Sequence, residues 1–192
     1  AHTLARGVPI ENSLLFATAL RLVRVRPRWR GHSRRAWLTV TAFGVALGLM
    51  NFTFYSSLAH LPIGVAVTIE FIGPLTLAAA LSRRWLDAVA VLAAAGGVVL
   101  ISEALHTPWA ELEKTGIALA LLAGAFWAAY IVLAGRTGAE FPKLEGLAIA
   151  MVVATVVTLP LGAFRAPSWT PEILLKPFGI AVLSSVLPYS LE

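Results

Sequence analysis

Glu70 is the residue that most invites chemistry. It is the only formally charged side chain between Ala36 and Ser82, in the run Val65-Ala66-Val67-Thr68-Ile69-Glu70-Phe71-Ile72-Gly73-Pro74-Leu75. A carboxylate that faces hydrocarbon costs several kcal/mol, so it is tolerated only beside a cavity, a partner or a proton. By default such a group marks a substrate or proton pathway. Pro74 stands four residues later. Proline has no N–H, so the Glu70 carbonyl loses its helical partner. Gly73 next to it would add flexibility. A carboxylate beside a freed carbonyl in a broken helix is how secondary transporters build ion and substrate sites. The competing reading is a protonated Glu70 that only bonds a neighbouring helix.

Other residues could share that site. Asn51 and Tyr55 are four apart and so lie on one helix face. They either line the cavity of Glu70 or bond between helices, as Asn commonly does in membranes. Trp127 and Tyr130 are three apart in another apolar segment. Trp127 falls near mid-segment rather than in the interfacial belt, so it is either a pocket wall whose N–H needs a partner or packing bulk. Pro188 and Tyr189 follow Ser184 and Ser185 near the end of the chain. Pro188 frees the Ser184 carbonyl and repeats the Glu70/Pro74 arrangement without the acid. Two such broken helices in corresponding halves would point to a site at a repeat interface. Gly44-Val45-Ala46-Leu47-Gly48 and the series Ala120, Gly124, Ala128 are small-residue patterns that let helices approach, and they say nothing of substrate.

Competing chemistries find no support. No Gly-rich phosphate loop is present, which argues against a nucleotide-driven pump. The histidines His2, His32, His60 and His106 do not cluster at metal-ligand spacing, and cysteine is absent, so neither a metal, a disulfide framework nor another cofactor is expected. An intramembrane enzyme would need paired catalytic groups at similar depth, and only Glu70 is available.

Composition says what must position these residues. The chain is 58% hydrophobic and only 13% charged, with a mean hydropathy of +0.81. Soluble domains carry roughly 25% charged residues, so an all-α, polytopic membrane bundle is expected. Period-two alternation is missing, which argues against strands. The net charge of +5 could suggest nucleic acid. The basic residues cluster beside apolar spans instead, as the positive-inside rule requires. No nucleic-acid partner is expected.

The uncharged stretches place spans at Ala36 to about Ala59, Pro62–Ser82, Leu86–Ser102, Thr115–Gly135 and Gly146–Phe164, with a sixth begun at Pro177. Glu70 is then about 12 Å into its helix, near the midplane of a ~30 Å core. The apolar stretch Asn12–Leu20, followed by Arg21, Arg24, Arg26, Arg28 and Arg30, reads as the stump of a span or as an interfacial helix, the stump being preferred. Counted between spans, eleven Lys and Arg residues from Arg21 onward fall on one side and only Lys114, Arg165 and Lys176 on the other. The first side is therefore cytoplasmic, and the His60-Leu61-Pro62 turn is outside. The chain begins with Ala and stops inside an apolar segment, which raises the expectation of a longer polytopic parent.

Several strings now fit together. Gly48-Leu49-Met50-Asn51-Phe52, Pro62-Ile63-Gly64-Val65-Ala66-Val67, Glu70-Phe71-Ile72-Gly73-Pro74-Leu75, Ser82-Arg83-Arg84, Ala123 through Tyr130 and Leu187-Pro188-Tyr189-Ser190-Leu191-Glu192 resemble bacterial EamA-type transporters. Within the drug/metabolite transporter superfamily, they are most similar to the threonine/homoserine exporter branch. The resemblance implies ten helices in two inverted five-helix repeats, in the bacterial inner membrane. It implies proton-driven efflux of small amino acids or related metabolites. On that map residues 1–35 are a basic segment with the stump of a span. Residues 36–103 are the end of the first repeat, and residues 104–192 the start of the second. The expected partners are the lipid bilayer, a small-molecule substrate and protons, with a homo-oligomer left open. The expected site comprises Glu70, Asn51, Tyr55, Pro74, Trp127, Tyr130 and Tyr189. The contrasting expectation is a truncated membrane remnant or scaffold that carries no flux.

Overall fold

The computed structural model describes residues 31–101, 108, 112–142 and 144–163. Every element there is helical: α1 (Arg34–Ser57), α2 (Ile63–Leu81), α3 (Trp85–Ile101), α4 (Lys114–Glu140) and α5 (Glu145–Ala163). The expected sixth span, the Arg-rich stretch before Gly31, and Tyr189 lie outside the described residues.

Helices α1, α2 and α4 are long and apolar enough to cross a membrane, while the apolar stretches Trp85–Leu100 and Glu145–Thr158 are shorter. Helix α4 runs five residues past the expected Gly135. Its 27 residues make a rod of about 40 Å, longer than a ~30 Å hydrocarbon core. Arg136 and Glu140 are thus carried on the helical overrun, where charge is cheap. Uncharged runs mark the lipid, and helices do not have to end where lipid does.

Local chemistry sets the ends. The Ser33 hydroxyl accepts the Ala36 N–H at 3.1 Å and caps α1. The α1–α2 turn closes through the His60 and Leu61 N–H groups, each 2.9 Å from the Ser57 carbonyl. Pro62, with φ −58°, then precedes the first residue of α2. Between α2 and α3, the Asp87 carboxylate accepts the backbone N–H groups of Arg83 and Arg84 at 3.3 and 3.1 Å. This is the reach-back half of a capping box. It holds the two arginines in a fixed turn.

The chain divides into two compact units, with boundaries inside α1 and α4. One is Leu49–Val132. Its core is Leu61, Val65, Ala66, Ile69 and Ala120, with Phe54, Leu58, Leu112 and Ile117 packed around it. The other comprises the segments up to Gly48 and from Leu133. There the Gly44 and Gly48 pair meets α5. A Cβ built on Gly44 would lie 2.5 Å from the Val153 Cβ, and one on Gly48 3.3 Å from the Ala154 Cα. Lipid tails are as apolar as leucine, so close packing of this kind, rather than hydrophobic transfer, holds membrane helices together.

Candidate functional site

Within the Leu49–Val132 unit, α2 brings Glu70 to a buried position, 7% exposed, beside the buried Ile69 and Ala66. Its carboxylate makes no ion pair among the described residues. Tyr55, on the second half of α1, lies within electrostatic reach of Glu70 and is 42% exposed. The Tyr55 ring also meets Phe54 edge-on, with centroids 5.4 Å apart.

Trp127 is placed against α2 as well. Its ring meets Phe71, the residue after Glu70, edge to face at 4.9 Å and 71°. Such pairs add about 0.5–1.5 kcal/mol beyond their burial. Phe71 was not among the expected site residues. Its only sequence signal was an aromatic next to the acid. Asn51 and Tyr130 are half-buried, and each has an interaction partner of its own.

Pro74 behaves differently from the expectation of a broken helix. Helix α2 continues unbroken from Ile63 to Leu81 with Pro74 inside it. The reason is the neighbour. A Cβ built on Gly124 of α4 would lie 2.5 Å from the Glu70 carbonyl oxygen and 3.2 Å from the Gly73 nitrogen. A Cβ on Gly73 would overlap the Gly124 carbonyl and fall 2.8 Å from its Cα. The two backbones therefore touch at this crossing. Gly73 serves close approach rather than flexibility, and the freed carbonyl packs on α4. The Thr76 hydroxyl bonds the Gly73 carbonyl at 2.8 Å, which satisfies that hydroxyl within its own helix.

Three further hydroxyls are committed in the same way. Thr53 donates to Leu49, Ser57 to Phe54 and Thr68 to Gly64, each to a carbonyl of its own helix at 2.6–2.8 Å. Among the described residues no cluster of His, Cys, Asp and Glu could hold a metal ion.

At one end of the same unit, His60 Nδ1 is 2.6 Å from Glu113 Oε2, which ties the α1–α2 turn to the start of α4. Gly116 allows this seating, because a Cβ there would be 2.7 Å from both the His60 Cβ and the Leu61 Cγ. The pair is exposed, and such pairs contribute only about 0–1 kcal/mol.

Comparison with known proteins places the chain beside membrane exporters. Residues 114–192 match the EamA-like transporter family. Over 190 residues, 97% of the chain, it is 37% identical to the threonine/homoserine exporter RhtA of Salmonella typhimurium and to that of Escherichia coli. The chain spans 64% of the length of these relatives. No solved structure matches it. An apolar multi-helix chain with a buried acid on α2, matching the EamA-like transporter family from α4 onward, is thus similar along its length to the threonine/homoserine exporters.

Proposed function

We propose that the chain forms part of a bacterial inner-membrane exporter of small amino acids, of the threonine and homoserine type, driven by the proton gradient. The observation that carries this reading is Glu70, a buried carboxylate without an ion-pair partner among the described residues, in a helix of a chain 37% identical to named exporters. The ionised carboxylate pairs with a substrate ammonium, and protonation releases it. Alternation between inward- and outward-facing states carries the substrate across. Tyr55 lies close enough to share the site, and Trp127 with Phe71 forms an aromatic wall on the same stretch of α2. Asn51, Tyr130, Pro74 and Tyr189 complete the proposed set. The whole transporter has ten helices in two inverted repeats, of which residues 36–103 and 104–192 supply parts.

The test is efflux of radiolabelled threonine and homoserine from preloaded cells. Empty vector, this chain, the chain extended to ten helices, and the extended chain with Glu70→Gln are compared. Export by the extended protein that is lost with Glu70→Gln supports the proposal. Equal export by Glu70→Gln refutes the role of the acid. Absence of flux from every form removes the amino-acid assignment and favours a scaffold.

A further inference from the structure

Pro74 leaves the Glu70 carbonyl without a helical donor, yet α2 does not end there. In hydrocarbon an unsatisfied backbone carbonyl costs several kcal/mol, and membrane helices tolerate proline only where a neighbour meets the freed group. The neighbour here is glycine. The Gly124 Cα hydrogen that a side chain would replace points at the Glu70 oxygen, since a Cβ in its place would lie 2.5 Å from that atom. The Gly73 Cα hydrogen points in turn at the Gly124 carbonyl. Paired Cα–H···O contacts of this kind recur where two helices touch backbone to backbone. Gly124 is buried, and the adjacent Ala123 and the preceding-turn Ala120 are fully buried, so this stretch of α4 is packed against protein.

We propose that Gly124 is the positioning residue of Glu70, supplying from α4 the donor that Pro74 withholds. It fixes the backbone of the acid against α4 at the level where Trp127 meets Phe71. The carboxylate and the aromatic wall thereby move as one body. The freed carbonyl is occupied by protein, so substrate and ions meet the Glu70 side chain and not its backbone. The functional half of this inference rests on Glu70 being the transport carboxylate, whereas the packing half does not.

The test is a double-variant cycle. Gly124→Ala, Pro74→Ala and the pair are made in the full chain, and the unfolding equilibrium is measured by SDS titration of helicity in mixed micelles. Residue 74 regains an N–H in Pro74→Ala and can bond the Glu70 carbonyl itself. The loss caused by Gly124→Ala should therefore shrink when Pro74→Ala is present. The expected coupling is about two- to five-fold in the unfolding constant, the worth of a Cα–H···O contact. Simple steric overlap predicts additive losses, because the methyl added at position 124 meets the Glu70 oxygen whichever residue stands at 74. Additivity would overturn the inference. Gly44→Ala, at the crossing with α5, is the control and should show no coupling to Pro74→Ala. If Gly124→Ala does not accumulate, recovery of accumulation in the double variant is the readout, and failure of recovery overturns the inference. In the ten-helix form, Gly124→Ala should also move the pH at half-maximal efflux and Pro74→Ala should move it back. Gly44→Ala should leave that pH in place. An unmoved profile overturns the positioning role. Loss of the Glu70 requirement with the stability coupling intact would fail the transport reading alone.

Discussion

Two glycines on neighbouring helices should respond to the same added methyl with opposite signs. At Gly73 the new Cβ would sit 2.8 Å from the Gly124 Cα and overlap its carbonyl. Carbon atoms rest at about 3.5–4.0 Å, so α2 and α4 would have to part by about 1 Å. Overpacking costs about 1–3 kcal/mol when side chains can yield. Here the obstacle is backbone, which places Gly73→Ala at the upper end. At Gly96 of α3, a Cβ meets nothing within 4 Å. Gly96→Ala removes only the helix penalty of glycine and should stabilise by up to about 1 kcal/mol. The difference is about 3–4 kcal/mol, on the order of a hundred- to a thousand-fold in the unfolding constant at 1.4 kcal/mol per decade. SDS titration of helicity in mixed micelles measures both variants against the parent. Equal shifts, or a destabilised Gly96→Ala beside a neutral Gly73→Ala, would refute the close crossing of α2 and α4.

Other outcomes follow from single features. Leu61→Ala empties a site that is 5% exposed among Val65, Ala66, Ile69 and Ala120. It should cost about 2–4 kcal/mol in the same titration, and a loss well below that range would mean that the turn is not seated on α4. The chain has no cysteine, so single substitutions report orientation directly. In intact cells, His60→Cys should react with a membrane-impermeant maleimide, while Arg83→Cys should react only after lysis. The reverse pattern would invert the topology taken from the positive-inside count.

The helices were legible because each property that defines them belongs to one stretch of chain. Uncharged length gave α2 to within a residue at each end, Pro62–Ser82 against Ile63–Leu81. The burial of Glu70 was legible for the same reason, since an acid flanked by apolar residues on every side of its helix has nowhere polar to point. What escaped were distances between helices. Gly73 read as flexibility because glycine beside proline usually means that, and its true partner lies 51 positions away at Gly124. Asp87 was overlooked although its signal was local. An acid three residues after Arg84, at the start of an apolar run, is a reach-back cap.

The distribution of polar groups in the Leu49–Val132 unit narrows where transport chemistry can occur. A hydroxyl in an apolar helix can satisfy itself on the carbonyl one turn back, and Thr53, Ser57, Thr68 and Thr76 all do so. A carboxylate cannot, because the helix offers it no free donor beyond its first turn. Glu70 lies in the eighth position of α2, well past that turn. Its needs can be met only by another helix, a proton or a cationic ligand. Tyr55 is a described side chain within electrostatic reach, and its hydroxyl carries no positive charge. No ion pair among the described residues compensates the charge of Glu70 when the proton is off. On the proposed transport reading, the site exchanges a proton for an ammonium group, one neutralising ligand for another, and Gln at position 70 would remove both states at once.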